Sequence, residues 1–498
     1  MDRRQFLKQN TMGLLGAGLL TSQPAMAQSK KRPNILWIML DDGRADALGC
    51  YNAPWAQTPN LNRLAAEGVR FETAIVQNPV CVPSRRSMKT GFYAHEVGPV
   101  AMGRPPETPG AYIDQNKMRA IEEAPNLLDA WTQVGIKPVN IGKVHGYRKS
   151  FDQLGDAPTL LNVHGKPTIH FKKMFGEKSA LEKTKQVVTD THKWQIGGVV
   201  DVPPEQTERW VLGNMAVDKI EELTQKDEPF FLRVSFHAPH VACYVPPEYY
   251  IDPKTIDLPL PTEDELASKP KFEQGPLKTY AGASLSREEI DICRGTYYGM
   301  VSLVDVQVGR IIEALKKAGA LDNTIIAFTS DQGFQLGEHG LWKKRVFYDA
   351  NVKVPFFIRY PRALPLGKVI DEPVEMIDFL PTLMELSHLE TPQNIRGRSL
   401  KPLIDGDVST WREACFSEID HSRSMYKELR QGTGRRVMVR TKEWKMIFFM
   451  DERVKDKDGA LYNLQTDPGE TKNVYHDPQY KDVIQYLGTL AREWDRQG

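Results

Sequence analysis

The sequence predicts an α/β fold: a large, mostly parallel sheet sandwiched by helices, plus a small C-terminal α+β subdomain with a short antiparallel sheet. Three observations predict it. Short apolar runs rich in β-branched and aromatic residues alternate with stretches of helical period. The order strand, helix, strand implies parallel neighbours joined by crossovers. After about residue 385 the texture changes to short strands in close succession. With 498 residues, the chain is long enough for two or three domains.

At the N-terminus, Arg3, Arg4, Phe6, Leu7 and Lys8 precede the apolar run Met12 to Leu20, and Ala25-Met26-Ala27 is a small-x-small cleavage site. Residues 1–27 therefore read as an export signal, and the paired arginines point to the twin-arginine route. An ordinary secretory signal is the alternative, since Asp2 stands where a serine usually precedes the pair. Both place the mature chain in the periplasm or outside the cell. The run is too short to span a bilayer, which needs about 20 apolar residues, and no other segment is long and apolar enough.

Ile35 to Leu40, Val139 to Ile141, Phe230 to Phe236, Thr324 to Thr329 and Phe356 to Ile358 read as buried strands. Thr58-Pro59 supplies a cap and a first-turn proline for a helix over Asn60 to Glu67. Val301, Val304, Val308, Ile311, Ile312 and Leu315 mark one face of a long helix that stops at Gly319. Regions 99 to 122 and 246 to 285, rich in Pro, Gly and charge, read as long loops. The C-terminal part contributes strands over Arg436 to Arg440, Trp444 to Phe449 and Ala460 to Leu464, then a helix from about Gln479 to Arg496. The domain boundaries expected are 28–385 and 386–498.

The 65 Lys and Arg balance 64 Asp and Glu, leaving a formal +1. No bulk field favours nucleic acid or an anionic membrane, so any anion recognition is local. Five widely spaced cysteines form no legible zinc or disulfide framework. Cys81, set among cations in CVPSRRSMKTG, is a liability as an accessible thiol in an oxidising compartment.

Most strands deliver polar residues just past their carboxyl ends. Ile35 to Leu40 runs into Asp41-Asp42-Gly43, Val139 to Ile141 into Gly142-Lys143-Val144-His145, Phe230 to Phe236 into His237-Ala238-Pro239-His240, and Thr324 to Ser330 into Asp331-Gln332-Gly333. Ligands bind at that edge of open α/β sheets. Asp41, Asp42, Asp331 and Gln332 are hard oxygen donors whose clustering calls for calcium or magnesium. Alone, Asp-Asp-Gly is an ordinary polar turn; four strand ends aimed at one cleft are not. Lys143, His145, His237, Lys344 and Arg85 are the groups to hold a compact oxyanion and move protons, although single lysines and histidines are often inert.

Taken together, Cys81-Val82-Pro83-Ser84-Arg85 with Ser87 and Thr90-Gly91, the four strand-end motifs, Gly337-Glu338-His339-Gly340-Leu341-Trp342-Lys343-Lys344, and the closing Leu461-Tyr462-Asn463-Leu464 with Asp467-Pro468 and Glu470 resemble the type I sulfatases of the alkaline phosphatase-like superfamily. The likeness spans roughly residues 33 to 475 and is nearest in character to bacterial iduronate-2-sulfatase-like members. It implies that Cys81 is oxidised to formylglycine (3-oxoalanine) by a formylglycine-generating enzyme, and that its hydrate is the nucleophile. It implies one calcium ion, with magnesium second, on Asp41, Asp42, Asp331, Gln332 and residue 81. Arg85 and Lys143 would stabilise the hydrate, His145 would hold its second hydroxyl, and His237 and Lys344 would grip sulfate and assist departure of the alcohol. His240 and Arg86 are further candidates for substrate contact. Spacing to Asp349 favours Lys344 over Lys343.

The chain departs from the family pattern at Arg86, where a small residue is usual, at Lys89, where an apolar one is common, and at Gln332, where Asn or His is more familiar. Residues 28–385 would then be the catalytic domain of an exported sulfatase acting on a sulfated polysaccharide or its oligosaccharides, such as ulvan, carrageenan or a glycosaminoglycan. The alternatives are a phosphoester, phosphonate or aryl sulfate hydrolase on the same scaffold and, in another class, an inactive glycan-binding protein.

Overall fold

Strands with both faces buried run through the centre of the molecule. The structure, a computed structural model, describes residues 32–97, 126–144, 152–153, 184–189, 195–279, 285–420, 434–450 and 458–497. The expected export signal, His145 and the 99–122 loop lie outside the described residues.

Eight strands form the main sheet: β1 Asn34–Asp41, β2 Val69–Phe71, β3 Val139–Gly142, β4 Asp152–Gln153, β5 Phe231–Pro239, β6 Thr324–Ser330, β7 Phe357–Arg359 and β8 Lys368–Ile370. Their spatial order is β8-β2-β7-β6-β1-β5-β3-β4. Only β7 runs against the rest; β6, β1, β5, β3 and β4 are mutually parallel. The carboxyl ends of β1, β3, β5 and β6 therefore share one edge.

Successive side chains of a strand point to opposite faces, and β1 splits its apolar residues between two cores accordingly. Ile35, Trp37 and Met39 pack with Leu380 and Leu383, whereas Leu36, Ile38 and Leu40 pack with Leu212, Ala216 and Ile220. The helices that supply these layers are α3 Glu208–Thr224 and α4 Arg287–Lys317 on one face and α5 Phe379–Leu386 on the other. The six expected face residues of α4 are all buried, Ser286 and Glu289 close its start as a capping box, and Gly319 follows its end at φ 65°.

Two expectations need correction. Helix α1 spans Pro59–Ala66, but the Thr58 side chain does not cap it: its Oγ1 accepts from Gly49 N at 2.9 Å instead. The supposed loop over 246 to 285 contains helices at Glu263–Ala267 and Gln274–Thr279, each too short to show an amphipathic period.

The C-terminal sheet is antiparallel: β9 Cys415–Asp420, β10 Arg435–Arg440, β11 Trp444–Phe449 and β12 Ala460–Asn463. Leu487, Ala491 and Trp494 of helix α6, Lys481–Gln497, cover Val437, Val439 and Met446. Glu418 N donates to Gln77 O at 3.0 Å, and the described residues from Pro33 onward pack as one compact unit. Among the described residues, no helix is long and apolar enough to cross a membrane.

Candidate active site

Helix α2, Cys81–Thr90, starts at the cysteine itself, after extended Val80, and ends at Gly91 with φ 74°. Pro83 sits in the first turn, where its missing N–H costs no helical bond. Cys81 is buried, and Arg85 lies one turn on, on the same face. The Cys81 thiol and the carboxylates of Asp41 and Asp331 place ligand atoms within 4.8 Å of one another.

Arg85 is fully buried and held from three strands. Its Nε donates to Asp331 Oδ2 at 2.6 Å and its Nη1 to Ser235 Oγ at 2.9 Å, while Nη2 stands 3.7 Å from Asp41 Oδ1. Lys143 Nζ donates to Asp41 Oδ2. Gly142 brings that lysine in: at φ 87°, a Cβ there would lie 2.2 Å from Ser235 O. On the other side, Lys344 Nζ donates to Asp42 Oδ1 at 2.7 Å and Gln332 Nε2 donates to the same oxygen.

Lys344 arrives through a short antiparallel pairing of Gln335–Leu336 with Trp342–Lys343. Positive φ at Lys343, 82°, turns the chain so that Lys344, not its neighbour, meets Asp42. The Asp331 loop is pinned by Gly333, where a Cβ would fall 1.9 Å from Ala350 O. Asp331 Oδ1 accepts from Asp42 N at 3.1 Å and from Gln332 N at 3.0 Å.

Burial pushes the Asp41 carboxyl up, but Lys143, then His240, Arg85 and Lys344, hold it well below the usual range. At Asp331 burial wins over the pull of Arg85, and the carboxyl is pushed up to about 7. Burial works against the Lys344 charge, and Asp42 more than restores it, so its pKa is raised. Crowded buried carboxylates of this kind are what a cation offsets.

The donor set fits one. Asp41 Oδ1, Asp42 Oδ2 and Gln332 Oε1 are buried and accept no hydrogen bond, an arrangement a stable interior otherwise avoids. All are hard oxygen donors suited to calcium or magnesium rather than a soft metal.

Of the histidines expected here, His237 and His240 fall within the described residues. His237 Nδ1 meets Glu208 Oε1 at the start of α3. Burial lowers its proton affinity, but the Glu208 carboxylate outweighs burial and raises its pKa. His240 Nδ1 pairs with Val241 O at 2.6 Å, its Nε2 is 3.8 Å from Asp42 Oδ2, and burial lowers its pKa. Arg86 is half-buried, and its charge acts on buried Lys89. Burial, then Arg233, Arg85 and Arg86, hold the Lys89 pKa well below its ordinary value.

Sequence reasoning missed Glu208 and Ser235. Thr207-Glu208 reads only as the opening of a helix, and Ser235 as a polar residue inside an apolar strand; their meeting with His237 and Arg85 is a tertiary fact.

Residues 33–389 match the family model described as Sulfatase, and residues 337–496 match the model described as N-sulphoglucosamine sulphohydrolase, C-terminal. An arylsulfatase of Clostridium perfringens is 31% identical, covering 92% of this chain and 93% of its own. An N-acetylglucosamine-6-O-sulfatase of Bacteroides thetaiotaomicron is 26% identical, covering 94% and 87%. A phosphonate monoester hydrolase of Agrobacterium radiobacter superposes with a TM-score of 0.75 at 25% identity, covering 94% of this chain and 96% of that one. The fold is that of the alkaline phosphatase-like enzymes.

Proposed function

This chain belongs to the sulfatase family and is a sulfuric ester hydrolase; from that premise we propose that it is exported and removes sulfate from a sulfated polysaccharide or its oligosaccharides, using formylglycine at position 81 and one calcium ion. The observation that carries the reading is the trio of buried oxygens on Asp41, Asp42 and Gln332 that accept no hydrogen bond beside Cys81. Likeness to an N-acetylglucosamine-6-O-sulfatase supports a carbohydrate substrate.

A sulfate monoester is attacked at sulfur while negative charge grows on the bridging oxygen, so fixed cations and an acid lower the barrier. Arg85 is locked by Asp331 and Ser235 and cannot swing away, so its charge stays on the position 81 side chain. Lys143 pairs with Asp41 and Lys344 with Asp42, and both are assigned to the sulfate oxygens. His237 holds a proton for the leaving alcohol, and His145 is assigned to the hydrate by motif alone. Asp41, Asp42, Asp331 and Gln332 would hold the dication, which when bound supplies positive charge to sulfate and to the position 81 oxygen. Residue 81, hydrated as formylglycine, supplies two hydroxyls on one carbon: one to attack sulfur, the other to lose a proton so that sulfate leaves.

Position 81 is converted before export by a formylglycine-generating enzyme, and residues 1–27 carry the protein out. Residues 28–385 form the catalytic domain and 386–498 the C-terminal subdomain. A peptide mass spectrum across residue 81 tests the reading: an aldehyde is expected, and a fully retained thiol in exported protein would instead indicate a glycan-binding protein. The likeness to a phosphonate monoester hydrolase favours a second reading. Nitrophenyl sulfate and nitrophenyl phosphonate separate the two, with faster release from sulfate expected.

A further inference from the structure

We propose that Glu208 is a positioning residue that holds His237 as the acid for the leaving alcohol, with Nε2 facing the ester; this rests on the sulfatase reading above. The Glu208 side chain is only 4% exposed, whereas that of His237 is 24% exposed. Contact with Glu208 Oε1 commits Nδ1 to carry a proton. The nitrogen left for the substrate is then Nε2.

The carboxylate is well prepared for this work. It occupies the first turn of α3, behind the Thr207 cap, where the helix end favours negative charge. Neighbouring Arg209 feels the Glu208 charge, but its Nη2 donates to Tyr244 O at 2.9 Å. The charged groups acting on His237 are Glu208 from α3, Lys143 beyond β3 and Asp41 from β1; Glu208 is the largest of them and Lys143 opposes it. Nor is the pair needed to join α3 to the sheet, since Leu212, Ala216 and Ile220 already pack against Val234 and Phe236.

In the step proposed, a hydroxyl oxygen of residue 81 bonds to sulfur and gives up its proton to water as the ester S–O bond breaks; the electron pair of the broken bond passes to the bridging oxygen and the Nε2 proton moves onto it. His237 is left neutral, with the proton on Nδ1 still donated to Glu208, and regains the Nε2 proton from water. Such help matters most for a poor leaving group. A sugar alkoxide needs the proton, whereas nitrophenolate departs almost without it.

The test compares wild type with Glu208→Gln, which keeps an acceptor for Nδ1 but removes the charge, and Glu208→Asp, which keeps the charge but withdraws it by one methylene. Sulfate release is followed from a sugar sulfate and from nitrophenyl sulfate across pH. Because the raised His237 pKa keeps the acid protonated to higher pH, Glu208→Gln is expected to move the alkaline limb of the sugar sulfate profile to lower pH. It is also expected to lose at least about 10-fold more on the sugar ester than on the aryl ester, with Glu208→Asp between. Equal losses on both esters, or an unmoved limb, overturn the proposal.

Histidine-labelled protein read by nitrogen–proton NMR, with His237→Gln to assign the signal, needs no turnover. A proton on Nδ1 and a downward shift of the His237 titration in Glu208→Gln are expected. An unchanged titration overturns the positioning role even in an active sulfatase. A wild type that releases no sulfate, but keeps the NMR signature, overturns the sulfatase reading and leaves the Glu208 and His237 pair standing.

Discussion

Arg412, Glu375 and Asp378 form a buried charge cluster where the main body meets the C-terminal sheet, and in it every carboxylate oxygen is satisfied. Glu375 Oε1 accepts from Phe416 N at 2.8 Å, and Oε2 from Tyr93 OH at 2.8 Å and Arg412 Nη1 at 2.6 Å. Asp378 takes both guanidinium nitrogens of Arg412, at 2.7 and 2.8 Å, besides Arg398 N and Glu375 N. The cleft at Cys81 buries more charge and is less complete. Asp41 Oδ1, Asp42 Oδ2 and Gln332 Oε1 accept nothing, with Arg85 Nη2 3.7 Å from the first and His240 Nε2 3.8 Å from the second. One cluster is closed around its own partners and holds the fold; the other is left open to what it binds.

Four substitutions sharpen that contrast, beginning with the largest effect. Cys81→Ser should cut turnover by about 10⁴-fold or more, equivalent to about 5.5 kcal/mol of barrier, because a single hydroxyl has no second oxygen to release sulfate. Its melting temperature should stay within about 2 °C of wild type, and wild-type turnover by this variant would remove the nucleophile from the account. In the closed cluster, Arg412→Met should cost about 3–5 kcal/mol of stability in denaturant titrations. The kcat of its folded fraction should not change.

Asp42→Asn comes next, with sulfate release expected to fall about 100-fold. Calcium should raise the melting temperature of wild type and chelator should lower it, through binding to the folded state. The Asp42→Asn variant should respond to neither, since it lacks a ligand. A wild type whose melting temperature ignores both additions argues against a cation site. The smallest effect belongs to Arg86→Ala: a KM change of less than about threefold, because helical spacing sets position 86 off the face shared by Cys81 and Arg85. A tenfold rise in KM would put Arg86 in the substrate pocket.

Much of the cleft was legible because four of its motifs sit at the carboxyl ends of apolar strands. A run such as Asn34–Asp41, buried along its whole length, leaves little choice about where Asp41 and Asp42 emerge. The Cys81 to Arg85 spacing was equally readable, being a single helical turn. What was hidden depends on contacts across the fold. Glu208 reaches His237 from another element, the oxygen of Thr58 turns to Gly49 instead of its own helix, and the helices in 246 to 285 are too short to reveal a period. The Arg412 cluster was invisible for the same reason: Tyr93, the pair Glu375 and Asp378, and the pair Arg412 and Phe416 come from three distant stretches of the chain and meet only after folding.

The most direct test of the central claim is sulfate release from a panel of defined sulfated oligosaccharides, using calcium-loaded protein produced together with a formylglycine-generating enzyme. Free sulfate from at least one oligosaccharide, lost on chelation and absent with Cys81→Ser, is the predicted result. Release of phosphate or phosphonate products from the matching esters, with no sulfate from any member of the panel, would contradict it.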